Sequence, residues 1–120
     1  MKKILVCDDD ATISEVVAII LLDGKLAQVY TLADTKNLLP SLGRIKPALI
    51  FMDHQIPVNG GIEATRSIKA HPQYKHIPVV YFTGNPDIDT LAREAGAEYV
   101  LAKPFNIKDL EALVHEALKA

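Results

Sequence analysis

The sequence is poor in the residues that mark several classes of protein. It has one cysteine and no tryptophan among its 120 residues. A single cysteine cannot form an internal disulfide, so the sequence does not indicate an oxidising compartment. Cys7 lies in an apolar run, where a buried structural thiol is the favoured interpretation over a reactive one.

The chain also lacks an excess of charge of either sign. Its formal net charge is −2 and the signs are mixed, so there is no basic stripe and we expect no direct binding to nucleic acid. The N-terminus passes from Lys2 and Lys3 through a short apolar run into three acidic residues. This run is too short for a signal peptide or a membrane span. We therefore expect a cytoplasmic protein that does not bind membranes.

Length and apolar content indicate one globular domain. A chain of 120 residues is close to the commonest domain size, and a hydrophobic content of 49% argues against disorder. Such a chain buries most of its unfolded surface without disulfides or metal ions. No linker or low-complexity segment interrupts it, so we predict a single domain over residues 1–120.

Apolar runs and helical patterns alternate five times along the chain. The runs predict strands over residues 4–7, 27–31, 48–52, 79–82 and 99–102. Helices are predicted between Thr12 and Gly24, over residues 34–42, 62–70 and 87–95, and after Asn106. Thr12 is the predicted N-cap of the first helix, Gly24 follows its end, and Asn106 caps the last helix. Strands that alternate with helices predict a parallel sheet covered by helices on both faces, because each crossover is right-handed.

Residues capable of chemistry follow four of the predicted strands. They are Asp8 and Asp9 after the first strand, Asp53 after the third, Thr83 after the fourth and Lys103 after the fifth. Because the carboxyl ends of parallel strands share one edge, where ligands bind in open α/β sheets, we expect these side chains to converge. Converging carboxylates repel one another, and oxygen ligands of this kind suit a hard cation such as Mg²⁺.

The same set is suited to a phosphoryl group. Lys103 supplies a positive charge and Thr83 a hydroxyl for phosphate oxygens, and a carboxylate can itself become an aspartyl phosphate. Each residue alone has a simpler interpretation. Asp8 and Asp9 could favour a helix dipole, Thr83 could form a turn and Lys103 could be solvated. The arrangement of all four strand ends in one register favours a joint site.

Five motifs run in order along essentially the whole chain. They are ILVCDDD, LIFMD followed by IP and Gly61, GGIEATRSIK, VVYFTG and AKPF. Together they resemble the receiver domain of two-component response regulators, of the chemotaxis-regulator type. The resemblance implies a flavodoxin-like α/β fold, (βα)5 and doubly wound, with five parallel strands in the order 2-1-3-4-5.

The resemblance also implies roles for the acidic residues. Asp53 accepts a phosphoryl group from a histidine kinase or a phosphotransfer protein. Asp9 binds Mg²⁺ or Mn²⁺ directly, and Asp8 acts partly through water. Asp53 and the backbone carbonyl of Gln55 complete the protein ligands of the metal. Such a domain is a switch and not an enzyme, and it catalyses at most its own phosphorylation and dephosphorylation.

A further implication concerns how the phosphoryl group is read. Thr83 is the switch hydroxyl, Lys103 pairs with the phosphate, and Lys103–Pro104 is a cis peptide. Phosphorylation changes the face formed by the fourth helix, the fifth strand and the fifth helix. That face would contact a downstream protein or an output domain, and the chain is either a stand-alone receiver or part of a larger protein.

Several positions depart from the pattern of the family. The position three residues before the lysine usually carries an aromatic ring, but here it is Val100, and Tyr99 comes one residue early. A one-residue offset in a strand turns a side chain to the opposite face, so we expect a readout through backbone movement more than through a ring. Gly60 replaces an acid that many relatives have and should make its loop more mobile. His54 is interpreted as a surface residue and not a ligand.

A rival interpretation is a small phosphatase of the haloacid-dehalogenase type. Asp8, Asp10 and Thr12 form a D-x-D-x-T motif after the first strand, in which Asp8 would be the nucleophile. The chain has no room for the cap of those enzymes, and the loop at Asp53 would have no role. A nucleotide-binding module is weaker still, because neither GxxxxGK[ST] nor GxGxxG occurs.

Overall fold

The computed structural model describes residues 1–119 and shows strands and helices in strict alternation. The strands are β1 (Lys2–Cys7), β2 (Ala27–Leu32), β3 (Leu49–Met52), β4 (Val79–Thr83) and β5 (Tyr99–Ala102). The helices are α1 (Ala11–Asp23), α2 (Leu38–Ile45), α3 (Gly60–Ala70), α4 (Ile88–Ala95) and α5 (Ile107–Lys119). All neighbouring strands are parallel, in the order β2-β1-β3-β4-β5, which confirms the predicted fold class and topology. Within residues 1–119, no helix has the length and apolar character needed to cross a membrane.

A hydrophobic core lies on each face of the sheet. Alternate residues of β1 enter different cores: Leu5 and Cys7 pack with α2, α3 and α4, whereas Ile4 and Val6 pack with α1 and α5. Every residue of β3 and β4 is buried, which explains why both strands appear in the sequence as unbroken apolar runs. The carboxyl ends of these central strands are therefore the places where polar side chains can emerge.

The free thiol of Cys7 is part of this core. The residue is fully buried, and burial, followed by the negative charge of Asp8, raises the pKa of the thiol. A thiol that is inaccessible and kept protonated is unreactive. The interpretation of Cys7 as a structural residue is confirmed.

The ends of α1 differ from the prediction. The N-cap is Asp10 and not Thr12, because Oδ1 of Asp10 accepts hydrogen bonds from the N–H groups of Thr12 and Ile13. Gly24 is the C-cap, as predicted, but its φ is −74°, and Lys25, with a φ of 59°, adopts the left-handed conformation instead. The position of the C-cap was thus correct, while the residue that reverses the chain was not identified.

Helix α2 begins later than the sequence pattern indicated, at Leu38. The residues before it form a loop in which Asp34 closes a local turn and the N–H of Thr35 donates to the carbonyl of Pro57. The predicted first turn over residues 34–37 was wrong because these polar groups have other partners. By contrast, Asn106 caps α5 as predicted, since its side chain accepts a backbone N–H at 2.8 Å.

Candidate functional site

The two central carboxylates lie side by side at the carboxyl edge of the sheet. Cys7 of β1 pairs with Met52 of β3, so the residues that follow, Asp8 and Asp53, leave the sheet together. The N–H of Asp53 donates to the carbonyl of Cys7 at 2.9 Å, which continues the ladder up to the site. The register of the sheet therefore determines the approach of these two acids.

A cleft of about 420 Å³ opens at this edge. It is lined by the predicted side chains and their neighbours: Asp8, Asp9, Asp10, Asp53, His54, Gln55, Thr83, Gly84, Asn85, Pro86 and Lys103. The structure thus brings together every residue that the sequence analysis assigned to the site.

Asp8, Asp9 and Asp53 form a cluster of oxygen donors. One carboxylate oxygen from each lies within 4.8 Å of the others. Asp8 and Asp53 are 3% and 8% exposed, whereas Asp9 is on the surface. Over the described residues 1–119, no other group of three or more acidic, histidine or cysteine side chains is close enough to share a metal ion. A donor set made of oxygen alone fits a hard cation such as Mg²⁺.

Lys103 bridges the two buried carboxylates. Its Nζ lies 2.6 Å from Oδ2 of Asp8 and 3.2 Å from Oδ1 of Asp53. The ammonium group also lies over the ring of Phe82, 4.6 Å from the ring centroid. The backbone N–H of Lys103 donates to the carbonyl of Thr83, so the lysine is held beside the end of β4. The cation is therefore fixed in position by the sheet, by two acids and by an aromatic ring.

Burial and charge shift the protonation equilibria of this pair. Burial raises the pKa of Asp53; the charge of Asp8 adds to this effect, and the charge of Lys103 opposes it. Burial lowers the pKa of Lys103, but the hydrogen bond to Asp8 and the charges of both acids raise it by more, so that its net shift is upward. Lys103 therefore stays charged, and one ammonium group does not fully compensate the acids around it. A further cation would be stabilised here.

The hydroxyl of Thr83 holds the loop that leads to α4. Its Oγ1 accepts a hydrogen bond from the N–H of Asn85 at 3.2 Å, and the residue is buried. The loop is tightened further because Oδ1 of Asn85 accepts the N–H of Asp87 at 2.8 Å. A displacement of the Thr83 hydroxyl would therefore be transmitted directly to the start of α4.

A polar pair beside Asp53 was not predicted from the sequence. His54, interpreted as a surface residue, is half-buried, and its Nδ1 lies 2.6 Å from the hydroxyl of Tyr81. Burial, followed by the charge of Asp53, raises the pKa of Tyr81 to about 12, so the hydroxyl keeps its proton. The partners are 27 positions apart, and Tyr81 is hidden in the apolar run of β4. No local pattern in the sequence signals this contact.

Thr35 was also missed, and it braces the loop after β3 from the opposite side. Its Oγ1 accepts hydrogen bonds from the N–H groups of Val58 at 2.9 Å and Asn59 at 3.4 Å. Its own N–H donates to the carbonyl of Pro57 at 2.7 Å. The loop that contains Gln55 is thus tied to the loop after β2, a pairing that neither segment reveals by itself.

The predicted departure in β5 is present in the structure. Val100 is 38% exposed, whereas Tyr99 packs against the core that contains α5. The two side chains therefore point to opposite faces, as predicted, and the exposed position carries a valine. The Lys103–Pro104 peptide is cis, which is also as predicted.

A family model described as the response regulator receiver domain matches residues 4–115, a range that contains every predicted site residue. The chain belongs to this family. The predicted resemblance is confirmed, and the chain is a receiver domain of two-component response regulators.

Curated relatives of this receiver domain include longer transcriptional regulators. The DNA-binding response regulator MtrA of Mycolicibacterium paratuberculosis is 32% identical over 120 residues, which cover 98% of this chain and 52% of MtrA. The phosphate regulon transcriptional regulatory protein PhoB of Escherichia coli is 29% identical over 120 residues, with 98% and 52% of the two chains covered. The chain therefore spans about half the length of the curated relatives it matches.

Solved receiver structures share the fold over nearly the full chain. The chemotaxis response regulator CheY4 of Vibrio cholerae matches with a TM-score of 0.87 and 29% identity, over 98% of this chain and 99% of CheY4. The receiver domain of the sensor histidine kinase PA1611 of Pseudomonas aeruginosa matches with a TM-score of 0.88 and 27% identity, over 99% of this chain and 98% of the PA1611 domain. The PA1611 structure has a magnesium ion coordinated in its active-site cleft.

Proposed function

We propose that this receiver domain is a switch in a two-component phosphorelay, in which Asp53 accepts a phosphoryl group from a histidine kinase or a phosphotransfer protein. The observation that carries the proposal is the arrangement around Asp53. Its carboxylate lies in the acid cluster and 3.2 Å from Nζ of Lys103, at the cleft where β3 ends. A nucleophile, a metal-binding donor set and a fixed cation are therefore present together.

The proposed reaction transfers the phosphoryl group between two nucleophiles. An oxygen of Asp53 forms a bond to phosphorus while the bond from phosphorus to the imidazole nitrogen of the donor breaks. The electron pair of the broken bond stays on that nitrogen, so a ring that carries a proton on its other nitrogen leaves as neutral imidazole. Lys103 keeps its charge throughout and pairs with the oxygens of the new acyl phosphate. Positioning and charge compensation are the main requirements of such a transfer.

The acid cluster is proposed to hold Mg²⁺ or Mn²⁺. Asp9, which is exposed at the cleft, is proposed as a direct ligand. Asp8 is proposed to act partly through water, because its carboxylate is already paired with Lys103 at 2.6 Å. Asp53 and the backbone carbonyl of Gln55 complete the protein ligands. A cation bound there neutralises negative charge on the carboxylates and on the phosphoryl oxygens.

The phosphoryl group is proposed to be read by Thr83 together with Lys103. Phosphorylation adds nearly two negative charges and strong acceptor oxygens at Asp53. The hydroxyl of Thr83 would turn to donate a hydrogen bond to one of these oxygens, which draws on the loop it now holds through Asn85. The face formed by α4, β5 and α5 would change as a result.

The wider role follows from this switch. The changed face is proposed to contact a downstream protein or an output domain, and the receiver domain itself is proposed to bind neither nucleic acid nor membranes. We further propose that the domain acts in the cytoplasm and is not an enzyme for an external substrate. At most it catalyses its own phosphorylation and dephosphorylation.

The phosphatase alternative is less well supported. Asp8, its nucleophile, is 3% exposed and engaged with Lys103 at 2.6 Å. Asp10, the second aspartate of the motif, uses its side chain to cap α1. Both aspartates of the motif therefore have structural explanations, and the family match favours the receiver function.

The proposal is tested by locating the phosphoryl group. Wild-type protein incubated with a small acyl phosphate and Mg²⁺ should take up one phosphoryl group, which borohydride reduction and peptide mass spectrometry should place at Asp53. Asp53→Asn should remain unlabelled, and Asp23→Asn, a control at the exposed end of α1, should match the wild type. A label found on Asp8, or wild-type labelling of Asp53→Asn, would contradict the proposal.

A further inference from the structure

Tyr81 is among the largest fully buried side chains of the molecule. It is the one polar side chain of β4 before Thr83, and its hydroxyl meets Nδ1 of His54 at 2.6 Å. A phenylalanine ring would fill the same space, and a buried hydroxyl is unfavourable unless it is hydrogen-bonded. Packing therefore accounts for the ring, and the contact with His54 accounts for the hydroxyl.

The hydroxyl of Tyr81 lies where the loop after β3 meets α3. A Cβ placed on Gly61 would come within 2.9 Å of this hydroxyl, 2.9 Å of Cα of His54 and 2.4 Å of the carbonyl of Asp53. The N–H of Gly61 donates to the carbonyl of His54 at 2.9 Å. His54 is thus held twice, through its backbone by α3 and through its ring by β4.

Tyr81 and Thr83 lie on the same face of β4, because side chains two residues apart in a strand share a face. Thr83 controls the loop after β4 through Asn85, and Tyr81 contacts the loop after β3 through His54. One strand therefore contacts both loops that border the site.

We infer that Tyr81 is a positioning residue, which holds His54 and thereby keeps residues 53–59 in the conformation that receives the cation and the phosphoryl group. The inference rests on the proposed function of Asp53. Within residues 1–119, the hydroxyl of Tyr81 forms no hydrogen bond with Asp8, Asp9, Asp53 or Lys103. We therefore expect Tyr81 to influence cation binding through the loop that contains His54.

The loss of the hydroxyl would act on the site by changing the population of loop conformations. His54 is half-buried, so without its partner the ring can turn toward solvent. Only the fraction of molecules with Asp53 and the carbonyl of Gln55 correctly placed binds the cation well, and the apparent affinity falls by that fraction. A neutral hydrogen bond of ordinary strength corresponds to a change of about twofold to tenfold.

The test compares Tyr81→Phe, His54→Ala, the double variant and a matched control, Tyr74→Phe. Tyr74 also lies against a histidine, His71, with ring centroids 4.3 Å apart, but it is in the loop between α3 and β4, outside the cleft. The affinities for Mg²⁺ and for beryllofluoride are measured from backbone amide shifts, without denaturant and at a temperature where every variant is folded. Both single variants should bind about twofold to tenfold more weakly than wild type, and Tyr74→Phe should bind like wild type.

The double variant separates a positioning role from a general structural one. If Tyr81 acts through His54, the double variant should be no weaker than His54→Ala alone, because the second change removes nothing further. Unchanged affinities in Tyr81→Phe, or additive losses in the double variant, would overturn the inference. Wild-type binding and labelling at Asp53 in the same samples would show that the proposed function stands independently of this result.

Discussion

Three consecutive acids at the end of β1 have three different environments. Asp8 is buried and paired with Lys103, Asp9 is exposed at the edge of the cluster, and Asp10 turns away to cap α1. Asp10 is also linked to its neighbour, since its N–H donates to Oδ1 of Asp8 at 2.9 Å. At the scale of single residues, then, position relative to the strand end decides whether a carboxylate joins the ion pair, is exposed at the cleft or caps the helix.

The first prediction separates Asp9 from Asp10. Asp9→Ala should weaken Mg²⁺ binding by about tenfold or more, since loss of a group that merely supports a metal ligand already costs about 10–100-fold. Asp10→Ala should change this affinity much less, but it should lower the free energy of unfolding by about 1 kcal/mol through loss of the N-cap. Amide titration with Mg²⁺ and urea unfolding measure the two effects. Equal Mg²⁺ affinity in wild type and Asp9→Ala would refute the ligand assignment.

At the scale of elements, the loop after β3 is held from three sides. Thr35 binds it from the loop after β2, Tyr81 contacts it through His54 from β4, and Gly61 allows α3 to approach it closely. These contacts come from segments that are distant in sequence. The shape of the loop in the structure is therefore set by side chains of other segments, and not by the sequence of the loop alone.

The second prediction concerns the close approach at Gly61. Gly61→Ala would place a Cβ 2.4 Å from the backbone carbonyl of Asp53, and backbone cannot move away as a flexible side chain can. We expect a loss of about 1–3 kcal/mol in the free energy of unfolding, and slower labelling at Asp53. Gly84→Ala is the control, because its Cβ would have ordinary contacts of 3.6 Å or more. Urea unfolding in which the two variants are equally stable would contradict the steric argument.

The elements themselves were largely predictable from the sequence. The runs that became β3 and β4 are buried on both faces, and residues that terminate such runs, Asp53 and Thr83, necessarily lie at the sheet edge. Lys103 directly follows β5 and so lies at the same edge, although β5 is only partly buried. The strand-end part of the site was therefore accessible from pattern alone.

The remaining features depend on contacts between distant segments. The late start of α2 follows from the pairing of Thr35 with Pro57, and the contact of His54 with Tyr81 joins the loop after β3 to β4 across 27 positions. The N-cap of α1 was misplaced because aspartate and threonine are both good caps, and only the end of β1 decides between them. Local sequence contains no information on such choices.

At the scale of the whole molecule, the parallel sheet places the site at one edge and connects it to an exposed face. Thr83 leads into α4 through the loop at Asn85, and Lys103 leads from β5 into α5. The exposed side of β5 carries Val100, so an aromatic ring is not available there to report the state of the site. We therefore expect the response in the backbone of the loop after β4 and of α4. Such a response is a shift between two states, limited by the difference in contacts that the phosphoryl group makes with each.

The most direct measurement compares backbone amide shifts with and without beryllofluoride, a phosphoryl mimic, in the presence of Mg²⁺. We expect changes at Asp53 and also through residues 84–95, because Thr83 should be drawn toward the mimic and should move the loop that it holds through Asn85. In Thr83→Ala, the changes near Asp53 should remain and those in residues 84–95 should be largely lost. Shift changes confined to the loop after β3, with residues 84–95 unmoved in the wild type, would contradict the claim that Asp53 controls the face formed by α4, β5 and α5.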